Sequence, residues 1–447
     1  YADTESSDSS GQTALSRSLA EVKVYQGGQT YRFRPLQEGD GNLWRVCDLV
    51  IDAQGKATVT PIQRFEFTTE EQQGLYAKRT QANREQWIVN YGGTPESEKA
   101  VNAGLEWLAR HQAPDGHWGP DCLAGHANCR CEGQPQCQGN GSNYAVAQTG
   151  LAVLALQAGG HFHDNGRPYS DHVRRGLEWL LAHQHDSGAF STDRTRVNFY
   201  ENGIAAFATC EACAISVNSG RSVPDAYRTA AERAVRFLER VQHQDGGWRY
   251  TENTKEGSDM SVTGWQVLAL KSAQEARIGV DKTCEQGVER FLTACRIGRT
   301  GRTSYMPVTN GSDAMTGVGM LVEQLFLHRP DSEYVRLGAD YLAKSEGGKP
   351  SARGRNRVAP GTVDYYTLYN CTLAMFQRGE EPWKQWNDKV RDHVIDLQET
   401  GDLCLRGSWA PDRHGSQGGR VYSTALAILT LEVYYRYQSD KAKVYQP

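Results

Sequence analysis

Four acids stand in front of apolar, small-residue stretches: Glu201, Asp259, Asp313 and Asp364. Asp259 and Asp313 share a Gly-Ser-Asp context, GSDMSVT and GSDAMTG. An acid at a helix start caps free N–H groups and complements the helix dipole, each effect on the order of 1 kcal/mol. The same carboxyl, desolvated or set beside like charge, holds its proton to higher pH and can act as a general acid. Aromatic residues gather at the same starts: Tyr144, Tyr200, Trp265, Tyr365, Tyr366, Tyr369 and Tyr422. Such rings either pack between layers or offer a π face to a cation. The candidate catalytic acids are Asp259 and Asp313. The candidate substrate-lining residues are Trp265, Tyr144, Tyr365 and Tyr422. Arg413 and His414, in the Gly-rich loop PDRHGSQGGR, read as a solvated loop or as a gate.

An internal repeat positions these residues. Gly104 to Leu108 (GLEWL) recurs verbatim at Gly176 to Leu180, with variants near Ala234, Gly287, Gly338 and Val390. Apolar residues fall at helical spacing in each copy, as in Val101/Leu105/Leu108, which predicts amphipathic helices with one buried stripe. A fixed turn follows several of them. Gln112-Ala-Pro-Asp115-Gly116-His-Trp118 matches Gln242-His-Gln-Asp245-Gly246-Gly-Trp248. Gln184 to Phe190 keeps the spacing, and Gln398 to Trp409 is a stretched form. Units four and five lack the motif. Gly suits a left-handed helix cap, Trp can fold back on neighbouring helices, and the Gln amide can bond helix-terminal backbone groups. The turn therefore reads as a clasp between units.

Each unit then carries a second helix, at Tyr144–Leu156, Glu201–Val217, Asp259–Ala273, Asp313–Leu327, Asp364–Phe376 and Tyr422–Tyr435. Several of these are apolar nearly all round and must be buried. Six pairs predict an all-α fold, an (α/α)6 toroid over residues 97–437, with amphipathic helices outside and buried ones inside. An open solenoid would need polar capping units.

The chain has 447 residues, 49 basic and 53 acidic, for a net charge of −4. That balance gives no footprint for nucleic acid. The apolar run Ala425–Leu431 is too short to span a bilayer, so membrane contact is at most peripheral. Residues 1–20 read as a disordered tail, 21–67 as a small β-rich module with three to five strands, 68–96 as a helical linker and 438–447 as a tail. The chain starts at Tyr1, so a fragment or a processed form is expected. Eleven cysteines, four of them clustered at Cys122, Cys129, Cys131 and Cys137, fit an extracytoplasmic or periplasmic setting. Those four form two local disulfides, a structural zinc with His126, or free thiols. Cys210 and Cys213 lie one turn apart within a helix and read as small core residues.

The repeated Q-x2-D-G-x-W clasps resemble the QW repeats of the terpenoid cyclase and protein prenyltransferase superfamily. That resemblance implies an α/α toroid with a central cavity. Squalene–hopene cyclases protonate an alkene with a DxDDT motif opening an inner helix. Asp259 and Thr263 match its first and last letters, while Ser261 and Val262 stand where it has two more acids. Ser258-Asp259 is also similar to the S-D pair of oxidosqualene cyclases. The zinc-binding D-x-C of protein prenyltransferases has no counterpart near Tyr422, and the GCGEQ of thioester domains is absent. Cys284-Glu285-Gln286 matches only its last letters. The resemblance thus implies a cyclase-like enzyme protonating a polyprenyl or triterpene-like lipid, with no cofactor and no metal. Two rivals stay open: a non-catalytic binding or scaffold toroid, and a toroidal enzyme on a glycan.

Overall fold

The computed structural model divides into two units, Tyr1–Gly74 and Leu75–Pro447. It describes residues 30–36, 43–51 and 57–66 in the first. In the second it describes 76, 79, 84–119, 144–193, 195–252, 257–345, 363–401, 404–412, 415–437, 439–442 and 445. The cysteine cluster, His126, Arg413 and His414 lie outside these residues.

The first unit contains an antiparallel sheet in the order β1 (Thr30–Leu36), β2 (Leu43–Ile51), β3 (Ala57–Glu66). A register shift falls between Val46 and Cys47, opposite Pro61, which has no N–H to give the ladder.

The second unit is helical. After α1 (Arg84–Asn90) come six pairs. The outer members are α2 (Pro95–Arg110), α4 (Ser170–Ala182), α6 (Asp225–Arg240), α8 (Lys282–Cys295), α10 (Glu333–Lys344) and α12 (Glu380–Asp396). The inner members are α3 (Ala145–Ala158), α5 (Phe199–Asn218), α7 (Met260–Glu275), α9 (Asp313–Leu321), α11 (Tyr365–Arg378) and α13 (Gly415–Leu431). A π-helical turn, Val322–Phe326, extends α9, and Gly419 interrupts α13 with φ 65°. A short α14 (Val433–Arg436) follows. Each inner helix packs on the next, and α13 packs back on α3, so the inner layer closes into a ring. Outer helices bury one stripe, as Ala231, Val235 and Leu238 on α6, whereas nearly every residue of α5 and α7 is buried. An apolar surface with no polar face has nowhere to go but the interior, which sorts the two sets into layers.

The clasps join these layers. In those of units one, two, three and six, the Gln Nε2 donates to the carbonyl of the clasp glycine and to a carbonyl in the first half of the next outer helix. Gln112 reaches Gly116 O (2.8 Å) and His172 O (2.9 Å), and Gln242 reaches Gly246 O (2.8 Å) and Cys284 O (3.0 Å). Gln398 reaches Gly407 O and, across the closure, Ala100 O on α2. The indole Nε1 of Trp118, Trp248 and Trp409 donates back to Leu108, Leu238 and Val394 carbonyls. Unit four keeps this turn although its sequence hides it. Arg296 and Thr303 form the bridge that Gln398 and Trp409 form in unit six, and Gly301 takes the left-handed glycine position at φ 70°. The geometry survives there because it depends on backbone pairing and the glycine, not on the Gln and Trp by which the motif is read.

Candidate functional site

The clasp of unit three fixes the front of α7. Asp245 accepts from Ser258 N (2.9 Å) and Ser258 Oγ (2.6 Å). The N–H of Asp259 donates to Trp248 O (3.0 Å), and Trp248 N donates to Thr263 Oγ1 (3.0 Å). Asp259 is the N-cap of α7 and fully buried; its Oδ1 accepts from Val262 N (2.9 Å) and Ser261 Oγ (2.7 Å). The Ser261 hydroxyl spends its one hydrogen on Asp259, so in its 2.7 Å contact with Tyr200 Oη the tyrosine is the donor. A hydroxyl chain thus runs Tyr200, Ser261, Asp259.

The other oxygen, Oδ2, is buried and makes no hydrogen bond of good geometry. The Tyr305 hydroxyl is placed to serve it and also bonds the Tyr250 hydroxyl. Burial raises the Asp259 pKa, partly offset by the Val262, Ser261 and Tyr305 donors. With Oδ1 already accepting twice, a proton taken up by this carboxyl has its place on Oδ2.

In front of this acid lies a cavity of about 680 Å³ at the N-terminal ends of the inner helices. Its wall carries Tyr144, Tyr200, Tyr250, Tyr305, Tyr366, Tyr422 and Trp265, with Ala147, Leu151, Ile204, Ala314 and Met315 between them. The polar lining groups are Gln148, Arg196, Asn198, Ser261, Asn310, Ser312 and Asp364. Trp265 stacks on Tyr369, centroids 5.8 Å apart and planes 9° apart, and Tyr369 in turn covers the buried Arg436 guanidinium at 5.2 Å. Deeper still, Arg79 pairs with Glu211 at 3.0 Å, both side chains fully buried. Burial pulls the neighbouring Lys271 ammonium down to about 7, against the pull of Glu275 and Glu211 in the other direction.

The sequence-derived candidates separate here. Trp265, Tyr144 and Tyr422 line the cavity, and Asp259 stands one hydrogen bond behind its wall. Asp313 points elsewhere: its Oδ1 accepts from Tyr341 Oη on the outer helix α10 (2.8 Å). It is the first residue inside α9, capped by Ser312, whereas Asp259 is itself a cap, so one step along the chain turns the two carboxyls apart. Tyr365 is buried beside Asp412, whose Oδ2 accepts the Tyr365 N–H (3.2 Å), and the next residue, Tyr366, faces the cavity. Tyr250, Tyr305 and Ser261 had no signal as site residues, because two sit in irregular loops and the third is a small polar residue. Among the described residues no group of three or more His, Cys, Asp or Glu side chains could hold a metal ion. No described helix is long and apolar enough to cross a membrane. Cys404 is disulfide-bonded, and Cys210, Cys213, Cys284, Cys295 and Cys371 are buried thiols.

Residues 87–203 match the family model of the squalene-hopene cyclase C-terminal domain. Two curated relatives align with the chain. A squalene–hopene cyclase of Bradyrhizobium diazoefficiens is 29% identical over 109 residues, 24% of this chain and 14% of that one. A drimenyl diphosphate synthase of Streptomyces showdoensis is 29% identical over 152 residues, 34% of this chain and 26% of that one. The chain thus spans about a quarter or less of the length of these relatives. Among solved structures, an inactive variant of the α-1,6-mannanase GH76A of Salegentibacter sp. HEL1_6 superposes with TM-score 0.53 and 11% identity, covering 77% of this chain and 99% of that one. The type II terpene cyclase MstE from Scytonema superposes with TM-score 0.46 and 12% identity, covering 76% and 98%. With six helix pairs closed into a ring, the helical unit is a terpenoid cyclase-like α/α toroid, and residues 87–203 of it carry the match to the squalene-hopene cyclase model.

Proposed function

We propose that the cavity binds an isoprenoid-like apolar molecule and that Asp259 protonates one of its alkenes to start cyclisation. The observation that carries this reading is a fully buried carboxyl, its pKa raised by burial, joined through hydroxyls to an aromatic-walled cavity of suitable size. Tyr305 takes the Oδ2 proton as its own hydroxyl proton moves to Tyr250, and Tyr250 in turn gives its hydroxyl proton up to the cavity. The alkene gains it and becomes a carbocation, and loss of a proton from the cyclised cation returns the balance. Tyrosine and tryptophan faces stabilise positive charge along the way. On ionising, Asp259 keeps its two Oδ1 donors, which favour the carboxylate that protonation leaves behind.

Glycan hydrolysis is less well supported. That chemistry uses two carboxyls flanking one bond, and Asp364 is the one carboxylate on the wall among the described residues. It caps α11 through Thr367 N (3.0 Å) and Thr367 Oγ1 (2.7 Å). Binding without chemistry is the second reading, favoured by Ser261 standing at the cavity wall where the cyclase motif has an acid. Purified protein incubated with squalene and shorter polyprenyl compounds separates these readings. Cyclic products that vanish in Asp259→Asn support protonation. Saturable binding with no product, unchanged by that substitution, leaves a binding module.

A further inference from the structure

A second concave site lies on the outer face of the helical unit and shares no residue with the aromatic cavity. It is a groove of about 490 Å³ lined by Asp186, Ser187, Thr229, Glu232, Arg233, Arg236, Arg240, Arg277, Ile278 and Gly279. Three pieces of chain form it. The face of α6 opposite its buried stripe supplies Thr229, Glu232, Arg233, Arg236 and Arg240; each has another of the set three or four residues away, so they stack along one side. The clasp turn of unit two supplies Asp186 and Ser187. The turn after α7 supplies Arg277 to Gly279.

Four guanidinium groups thus face two carboxylates in a chain whose overall charge is −4. Two are held by backbone: Arg233 Nη2 donates to His185 O (2.6 Å) and Arg240 Nη2 to Ser187 O (2.8 Å). Each such bond uses one of the five N–H donors of a guanidinium and fixes the direction of the rest. Arg236 Nη1 donates to Glu239 Oε2 (2.7 Å). Of the two carboxylates, Asp186 is fully exposed, 3.8 Å from Arg233, and Glu232 lies 3.7 Å from Arg228.

Arg277 is the informative member. The inner helices of the first three units end in the same two bonds. After α3, Gly160 N donates to Gln157 O and His161 N to Leu156 O; after α5, Gly220 N donates to Val217 O and Arg221 N to Ser216 O. After α7 the donors are Arg277 N to Gln274 O and Ile278 N to Ala273 O. The first two turns place glycine in the left-handed region, at φ 83° and 64°. The third places Arg277 there, at φ 57°. An arginine in that backbone carries a steric cost that glycine avoids. Its guanidinium makes no hydrogen bond or ion pair with any described residue, and its side chain borders the groove.

We propose that this groove binds a multivalent oxyanion, a phosphate- or sulfate-bearing ligand held by Arg277, Arg236, Arg233 and Arg240. Planar forked donors from two chain segments, the outer face of α6 and the turn after α7, match the oxygens of such a group. Isothermal titration of the full chain at low salt, with inorganic tripolyphosphate and with sucrose octasulfate, tests this. Saturable binding of either probe that weakens as salt is added is expected, and the stronger of the two identifies the source. Arg277→Gly and Arg236→Gln should each weaken binding by about tenfold or more, the loss of one charge-assisted hydrogen bond. Asp186→Asn should strengthen it. Arg277→Gly gives glycine back to the turn, so its melting temperature should stay level or rise, which separates lost binding from lost folding. Absence of saturable binding by both probes overturns the proposal, as does binding that Arg277→Gly and Arg236→Gln leave unchanged.

Discussion

At the scale of single residues, the ring separates acids that look alike in the sequence. Asp259 caps its helix and stays behind the cavity wall with one oxygen buried and unbonded, while Asp313, in the same Gly-Ser-Asp setting, turns to Tyr341. Glu201 follows a third course. Burial pushes its carboxyl up to about 7. Between the ordinary value of 4.5 and 7, the unfolded chain has released this proton and the folded chain has kept it. Stability therefore falls as pH rises through that window. Glu201→Gln should abolish this part of the slope and leave the protein more stable than wild type at pH 8, by up to about 3 kcal/mol. Urea unfolding of both proteins at pH 5 and pH 8 checks it; equal differences at the two pH values would contradict it. At Asp259, a Ser261→Ala change removes one Oδ1 donor and the link to Tyr200. It should raise the acid's pKa further and reduce turnover while leaving ligand binding in place, a split that kcat and KM measure separately.

At the scale of elements, the clasp sets the position of the acid, since Asp245 and Trp248 hold Ser258 and Asp259 in place. Gly246 is its tightest point. Its φ is 97°, and a Cβ there would meet Gly287 O at 1.9 Å. Gly246→Ala should destabilise the fold by more than the roughly 1 kcal/mol of an unhindered left-handed alanine, because α8 must also move away. A thermal melt measures the loss, and an unchanged melting temperature would contradict the clasp's role. The clasps were legible in sequence wherever Gln, Gly and Trp kept their spacing, and so were the helix pairs, since a one-sided and an all-round apolar pattern differ plainly. The fourth clasp was not legible, because Arg296 and Thr303 replace the diagnostic side chains while Gly301 keeps the backbone path. Tyr250 and Tyr305 escaped for a related reason. Each belongs to a loop with no periodicity, and only the folded ring brings their hydroxyls together beside Asp259.

At the scale of the whole helical unit, closure matters more than any one repeat. Gln398 bonds Ala100, Trp107 Nε1 donates to Cys404 O (2.8 Å), and Ile428 and Trp409 pack against Gly104 on α2. A linear solenoid loses stability roughly in proportion when a terminal unit is removed. A ring loses both faces of a joint. Deletion of residues 380–437 should therefore abolish the cooperative thermal transition of this unit instead of shrinking it; a sharp transition of reduced enthalpy would mark an open array. The ring also gives the acid its meaning, because only closure turns six helix starts into the wall of one cavity. Proton transfer from Asp259 to an alkene leaves a trace that binding does not. In D2O the acid carries solvent deuterium, and a cyclised isomer takes up one deuterium as it loses one hydrogen elsewhere. Mass spectrometry of products formed from squalene and shorter polyprenyl compounds in D2O is thus the most direct test. The account predicts cyclic products carrying one deuterium from the wild-type protein and none from Asp259→Asn; cyclic products without deuterium, or deuterated products undiminished in Asp259→Asn, would contradict it.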